Sequence, residues 1–168
     1  MKRILHAALA VVLIAGAGVG SAEARNRARV DQSGYANGAA AAQEGDANGV
    51  VITQRGAGHY SRGVQSGYNN FLRMDQYGTR NRVTTAQRGD NNFAATGQEG
   101  RNLRADTIQT GRGNVAGTAQ IGTNNRAVTD QDGVNNTSGI IQVGNGQDVQ
   151  VRQRGDDNIS VVVQSGYN

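Results

Sequence analysis

A glutamine recurs every eleven residues from Gln32 to Gln164, and this spacing constrains the fold more than any other feature of the chain. A glycine stands two residues after each of these glutamines, and an asparagine usually stands five residues after. The repeated unit is therefore Q-x-G-x-x-N, followed by five residues before the next glutamine. An internal repeat of this length predicts a fold made of stacked copies of one small unit.

The repeated residues fall into three sets. The glutamines are Gln32, Gln43, Gln54, Gln65, Gln76, Gln87, Gln98, Gln109, Gln120, Gln131, Gln142, Gln153 and Gln164. The glycines are Gly34, Gly45, Gly56, Gly67, Gly78, Gly89, Gly100, Gly111, Gly122, Gly133, Gly144, Gly155 and Gly166. The asparagines are Asn37, Asn48, Asn70, Asn81, Asn92, Asn114, Asn125, Asn136 and Asn158, and the three remaining asparagine positions hold His59, Leu103 and Gln147.

The composition of the unit favours a strand and a tight turn over a helix. An eleven-residue repeat is also typical of right-handed coiled coils. Glycine and asparagine are poor helix formers, however, and one of each stands in most units. Glycine supplies the positive φ angles of tight turns, and asparagine tolerates the same conformation. The glycines are therefore predicted to be turn residues.

The seven residues from asparagine to glutamine alternate in character. The second and fourth residues after the asparagine are always small or apolar. Every charge in these segments lies at the first, third or fifth position, and the ten charged residues are Arg62, Arg73, Asp75, Arg82, Arg104, Asp106, Arg126, Asp130, Asp148 and Arg152. This alternation predicts a strand with one buried face and one wet face.

The repeated amides share the parity of the buried positions, so they are predicted to point inward. A buried amide without a partner is costly, whereas stacked amides can donate to and accept from one another. Amide ladders of this kind are a feature of cross-β stacking. The glutamines and asparagines are therefore predicted to form ladders in the core of an amyloid-type stack.

The predicted fold class is all-β, a parallel two-sheet β-solenoid with cross-β stacking. Twelve strand-and-turn units would pair into about six coils of 22 residues, with strands about 4.8 Å apart. Each coil would contact only its neighbours. Neither end of the array carries an evident cap, and uncovered strand edges can accept another chain. End-to-end strand stacking is therefore the predicted mode of self-assembly.

The first residues are typical of a secretory signal. Lys2 and Arg3 precede an apolar stretch, and Ala22-Glu23-Ala24 is a small-residue cleavage site. A membrane anchor is the competing interpretation, but the apolar stretch is shorter than the ~20 residues that a spanning helix needs. The predicted division is residues 1–24 as signal peptide, 25–31 as a short mature N-terminal segment, and 32–168 as the repeat solenoid.

The sequence predicts no enzyme, no catalytic residue, no metal site and no cofactor. The chain has no cysteine, and the predicted mature chain keeps a single histidine, His59. One histidine cannot build a metal site, and the nonapeptide of calcium-binding β-rolls is absent. Fifteen arginines are diluted by twelve acidic residues after the predicted cleavage. Any DNA or polysaccharide binding is therefore predicted to be weak and salt-sensitive.

The repeated unit behind a secretory signal resembles the curlin repeat of bacterial curli fibres, over Gln32 to Asn168. The resemblance implies a secreted amyloid fibre subunit that supports biofilm and adhesion at the surface of a Gram-negative bacterium. It also implies self-association into a homopolymeric fibre, a second curli subunit, and a secretion pore with accessory factors in the outer membrane. No membrane span is expected after processing. The uniform repeats look closer to those of the minor, nucleator-type subunit, and the role of major subunit is not excluded.

The sequence is also compatible with two alternative functions. The first is a monomeric secreted β-solenoid that acts as a surface adhesin or ligand-binding protein, and the second is a polyanion-binding module.

A separate choice concerns the asparagine positions, which are intact in alternate units and interrupted in the others. The interruptions reflect either drift at tolerant turn positions or a stiffer, continuous edge on one side of the solenoid.

Overall fold

The computed structural model describes residues 9–15 and 25–167, and in these residues it contains fourteen β-strands and no helix. The strands are β1 Leu9–Ala15, β2 Arg27–Tyr35, β3 Gly38–Asp46, β4 Gly49–Ala57, β5 Tyr60–Tyr68, β6 Phe71–Thr79, β7 Arg82–Asp90, β8 Phe93–Arg101, β9 Arg104–Arg112, β10 Val115–Thr123, β11 Arg126–Val134, β12 Thr137–Asn145, β13 Asp148–Arg154 and β14 Ile159–Tyr167. Over the described ranges, no helix is long and apolar enough to cross a membrane.

The strands form two parallel seven-stranded sheets. Sheet A contains the odd-numbered strands from β1 to β13, and sheet B contains the even-numbered strands from β2 to β14. The chain alternates between the sheets, so from β2 onwards each residue pairs with the residue 22 positions away, as in Gln76 with Gln98. The protein is therefore a parallel two-sheet β-solenoid of about six 22-residue coils, which confirms the predicted fold class.

The corners between strands are very short, and glycine is required beside them. The backbone of Gly89 has a φ of +108°, and a Cβ placed there would lie 2.1 Å from the carbonyl oxygen of Gly111 in the next coil. The residue before the corner asparagine, such as Asn91 with a φ of 56°, is also left-handed. Most of the predicted turn glycines therefore lie inside strands. They remain paired with the equivalent glycines of the neighbouring coils, although the chain bends there.

The interior is a thin layer of small and aliphatic side chains between the sheets. The buried residues include Val50, Ile52, Leu72 and Met74, and all charged side chains of the strands face outward. Large residues are matched by small ones across this layer. A Cβ on Gly63 would lie only 2.5 Å from Cδ2 of Leu72, so the glycine provides the space that the leucine fills. The alternate strand positions that face inward thus form a close-packed core.

Two features lie before the predicted start of the array at Gln32. The predicted segment of residues 25–31 includes the first five residues of β2, in which Ala28 and Val30 pack against the core. Strand β1 lies within the predicted signal peptide and pairs in parallel with β3. The predicted cleavage site, Ala22-Glu23-Ala24, and the last residue, Asn168, lie outside the described residues.

Candidate functional site: the amide ladders

Two glutamine ladders run through the interior, one along each sheet. In each ladder the side-chain Nε2 of one glutamine donates to Oε1 of the glutamine 22 residues later, as from Gln76 to Gln98 at 2.9 Å and from Gln98 to Gln120 at 2.8 Å. All these bonds point towards the C-terminal coils. The ladder of sheet B contains Gln32, Gln54, Gln76, Gln98, Gln120, Gln142 and Gln164, and that of sheet A contains Gln43, Gln65, Gln87, Gln109, Gln131 and Gln153.

Most of these glutamines also connect the two sheets. The Nε2 of Gln98 donates to the carbonyl oxygen of Arg82 at 3.1 Å, and that of Gln109 donates to the carbonyl oxygen of Phe93 at 3.0 Å. One amide therefore holds a coil to its neighbour and one sheet to the other. Each such bond stabilises a fold by about 1 kcal/mol net, but leaving the buried amide unpaired would cost more.

A second kind of ladder follows the edge at which sheet A strands lead into sheet B strands, here called the continuous edge. Asn92 shows its pattern. Its backbone N–H and its Nδ2 both donate to Oδ1 of Asn70, at 3.0 and 3.1 Å, and its Nδ2 also donates to the carbonyl oxygen of Gly111 at 3.0 Å. The asparagines of this edge are Asn48, Asn70, Asn92, Asn114, Asn136 and Asn158.

The opposite edge, at which sheet B strands lead into sheet A strands, is here called the interrupted edge. Its positions are Asn37, His59, Asn81, Leu103, Asn125 and Gln147. Backbone N–H groups here also donate to the side chain one coil earlier, as His59 does to Oδ1 of Asn37 at 3.0 Å. Between the described residues of this edge, no side-chain amide donates to another ladder side chain.

Histidine fits this edge because its ring reproduces the asparagine bonds. The Nδ1 of His59 accepts from the backbone N–H of Asn81 at 3.2 Å, and its Nε2 donates to the carbonyl oxygen of Arg55 at 3.1 Å. Both ring nitrogens are therefore used by the neutral form. Burial lowers the pKa of His59, since a charged imidazole would lose its hydration.

Leu103 breaks the ladder of the interrupted edge. Its own backbone N–H donates to Oδ1 of Asn81 at 3.1 Å, so the ladder reaches it from one side. Its side chain is buried and offers no acceptor to the N–H of Asn125 in the next coil. The ladder resumes where Gln147 donates its backbone N–H to Oδ1 of Asn125 at 3.0 Å.

Two ladder members were not predicted from the sequence. Asn26 accepts the backbone N–H of Asn48 at 2.9 Å and extends the continuous edge by one coil. Its position eleven residues before Asn37 would have identified it. Ser61 lies among the glutamines, where its Oγ donates to Oε1 of Gln76 at 2.8 Å and accepts from Nε2 of Gln54 at 3.1 Å. No periodic signal marks that serine.

The ladders repeat the same hydrogen bonds between each coil and the next. Within residues 9–15 and 25–167, no group of three or more His, Cys, Asp or Glu side chains could hold a metal ion. The strand carboxylates lie on the outer faces, where several pair with arginine, as Asp106 does with Arg104 at 2.7 Å. The ladders offer donors and acceptors at a fixed spacing along the stack, and each coil of the chain uses them to bind the next coil.

Comparison with known families agrees with this periodicity. A sequence model of the curlin associated repeat matches residues 24–56, 45–78, 78–111 and 122–155. These segments together cover well over half of the chain and most of the described solenoid. No curated protein and no solved structure matches the chain.

Proposed function

This chain belongs to the curlin family, whose members are structural proteins, and we propose that it assembles end to end into extracellular curli-like amyloid fibres. The observation that carries the proposal is the uniformity of the contact between coils. From β2 onwards every strand pair keeps the same parallel register of 22 residues. A coil of a second copy could therefore make the contacts that each coil makes within the chain.

The direction of the glutamine ladders supports a polar fibre. Every glutamine that donates along a ladder does so towards the C-terminal coils, from Gln43 to Gln65 at the start of the sheet A ladder through to Gln131 and Gln153 at its end. A second copy that continues the ladder must keep this direction. Addition of this kind is head-to-tail, and a head-to-tail contact that does not close into a ring produces a filament.

One unpaired acceptor marks where a further glutamine would fit. The Oε1 of Gln43 is buried and has no hydrogen-bond partner among the described residues. The residue opposite Gln43 in the β1–β3 register is Ile14, so no glutamine continues the ladder there. Removal of residues 1–24 would uncover the β3 edge. A glutamine from another copy could then donate to Gln43 and lengthen the ladder.

The proposal extends to export and location. Residues 1–24 direct the chain into the secretory route and are removed, and residues 25–168 are then exported through an outer-membrane secretion pore with its accessory factors. The fibre forms at the surface of a Gram-negative bacterium, together with a second curli subunit, and contributes to biofilm and adhesion. Support for these steps comes from family membership and the amino-terminal signal pattern.

Fibre growth from the purified chain tests the proposal. Residues 25–168, diluted from denaturant without seeds, should give a rise in thioflavin fluorescence that comes sooner when preformed fibres are added. A rise with almost no lag assigns the nucleator role, and a long lag assigns the major subunit. A flat trace from a monodisperse, β-rich monomer would contradict fibre assembly and favour a monomeric adhesin.

A further inference from the structure

The two outer faces of the solenoid differ in charge over their C-terminal coils. On strands β7, β9, β11 and β13 of sheet A, ten of the sixteen outward positions are charged. On strands β8, β10, β12 and β14 of sheet B, Glu99 is the one charged residue among sixteen. These sixteen residues are here called the apolar face and comprise Phe93, Ala95, Gly97, Glu99, Val115, Gly117, Ala119, Ile121, Thr137, Gly139, Ile141, Val143, Ile159, Val161, Val163 and Ser165.

The large side chains of the apolar face are exposed to solvent. Ile121 is 48% exposed and Ile141 is 44% exposed, while Val161 on β14 reaches 68%. Phe93 stacks on Phe71 of the preceding coil, with 5.7 Å between ring centroids. The apolar surface therefore extends one coil towards the N-terminus. Contiguous apolar surface of this extent on a soluble protein usually marks an interaction site.

A shallow trough runs along the stack through the middle of the apolar face. Its floor is made by small residues, including Ala95, Gly97 and Gly117, and its volume is about 410 Å³. A Cβ placed on Gly97 would meet no atom within 4 Å, so the floor is open to solvent. Phe93 and Ile121 hold the first and seventh positions of their strands, before and after the floor positions, and the ion pair of Arg73 with Asp75 (2.6 Å) closes one end of the trough.

We propose that the apolar face is a lateral interface, at which the fibre pairs face to face with a second fibre of the same chain. This inference rests on the proposed function, because it needs copies already stacked into fibres. A face with almost no charge does not repel its own copy, whereas the charged face of sheet A would bury hydrated ions in such a contact. The glycine and alanine floor lets two sheets approach to the roughly 10 Å spacing of dry, packed sheets.

The area of the face explains why the partner is a fibre and not a single copy. Four strands about 4.8 Å apart, each exposing seven residues at about 3.3 Å per residue, present roughly 450 Å². A stable pair of proteins usually buries about 800 Å² on each partner. One copy on one copy is therefore too small a contact, but every copy added to a fibre brings another patch. Pairing should strengthen with fibre length.

A charge placed on the trough floor separates pairing from growth. Gly117→Lys is suitable, because a Cβ at that position meets nothing closer than Ser138 O at 4.0 Å and the backbone is not left-handed. Val128→Lys is the matched control, since it occupies the same third position of the next strand, β11, on the charged face. Gly117→Ala controls for the loss of glycine itself.

Electron microscopy of fibres gives the fraction of fibre length that is paired, and thioflavin fluorescence gives the growth rate. We expect Gly117→Lys to lower the paired fraction at least about tenfold, because each copy would bury an unpaired ammonium group. Growth should stay within about twofold of the parent, since the contact between coils is unchanged. Val128→Lys and Gly117→Ala should pair as the parent does.

Several outcomes would overturn the inference. Pairing by Gly117→Lys fibres at the parental level would do so, as would an equal loss in Val128→Lys fibres. Parental fibres that grow normally but stay single would overturn pairing while leaving the proposed function intact, and their Gly117-dependent binding to phosphatidylcholine vesicles would assign the face to lipid. Absence of any fibre growth would instead remove the proposed function, and the inference with it.

Discussion

The two edges of the solenoid are built from the same repeat and differ in how their ladders are bonded. On the continuous edge, Asn136 donates both its backbone N–H and its Nδ2 to Oδ1 of Asn114, at 3.0 and 3.1 Å. On the interrupted edge, Leu103 ends the backbone-to-side-chain ladder, and His59 and Gln147 take other asparagine positions. The two kinds of corner nevertheless share the same left-handed backbone.

This difference shows which part of the corner the fold requires. A glycine stands two residues after every ladder glutamine on both edges, and no other residue type occupies this position. The fold therefore requires the backbone geometry that glycine allows. The asparagine can be replaced where another group accepts the next N–H, as the ring of His59 does. The hypothesis of a stiffer, continuous edge therefore acquires a physical basis, and the following variants test it.

The largest effect is expected where the edges do not differ, at the corner glycines. Gly89→Ala beside the continuous edge would place a Cβ 2.1 Å from Gly111 O, and Gly100→Ala beside the interrupted edge would place one 1.9 Å from Gly122 O. Both should destabilise the stacked state by about 3 kcal/mol or more, through steric overlap and left-handed strain. The urea concentration that dissolves half of the fibres measures this loss.

Gly139→Ala is the control for the glycine substitutions. Gly139 is not left-handed, and a Cβ there would lie no closer than 3.8 Å to its neighbours, so stability should be unchanged or slightly higher. If Gly89→Ala were severe and Gly100→Ala mild, the edges would differ in their backbone, and the ladders would not be the cause of the asymmetry.

The next largest effect separates the edges directly. Asn92→Leu gives the continuous edge the residue that the interrupted edge already carries at Leu103. It removes the bonds from Nδ2 to Asn70 and Gly111 and leaves the N–H of Asn114 without its acceptor. We expect a loss of about 2–3 kcal/mol, because buried polar groups would be left unpaired. Seeded elongation should slow accordingly. An unchanged dissolution midpoint and growth rate would mean that the edge asparagines contribute neither to fibre stability nor to elongation.

The reverse substitution should have a smaller effect of opposite sign. Leu103→Asn gives the N–H of Asn125 the acceptor that it lacks and should let the new Nδ2 reach Gly122 O, as Asn81 reaches Gly100 O at 3.2 Å. The loss of a buried leucine offsets only part of these gains, so we expect a net stabilisation of about 1 kcal/mol. A lower urea midpoint than the parent would show that packing of Leu103 outweighs the ladder.

Much of this architecture could be predicted from the sequence because a single period determines it. The eleven-residue spacing defines strand length, and parity in the strands assigns Ala39 and Ala41 to the interior, where both are buried. In a stack of identical units the register is then set by superposing like residues. Prediction therefore succeeded for the fold class and for the approximate number of coils.

Other features depend on contacts that the period does not specify. The bond from Gln98 to the carbonyl oxygen of Arg82 crosses between sheets, and its partner follows from the distance between the layers. The pairing of β1 with β3 lies outside the repeat altogether. The role of Ser61 arises because one serine replaces a small apolar residue beside two glutamines. Such contacts are set by tertiary packing.

The smallest expected effect concerns His59 and depends on pH. Burial lowers the pKa of its ring below the ordinary value of 6.5, so the unfolded chain binds the proton more readily than the stacked chain does. The stability that the neutral ring contributes is present above pH 6.5 and is lost as the pH falls through the lowered pKa. Protonation of Nδ1 would also set a donor against the N–H of Asn81, which it now accepts at 3.2 Å.

The urea midpoint of the fibres should therefore fall between pH 7.5 and pH 5.5, a window above the ordinary pKa values of Asp and Glu. His59→Asn should remove most of this fall, since the asparagine of the neighbouring coils makes the same bonds without titrating. A matched substitution on the continuous edge, Asn70→His, would place a second titrating ring where Nδ2 of Asn70 now donates to Oδ1 of Asn48 at 3.1 Å, and it should deepen the fall. If the urea midpoint of His59→Asn fibres fell as far as that of the parent, the ring of His59 would not be the source of the pH dependence.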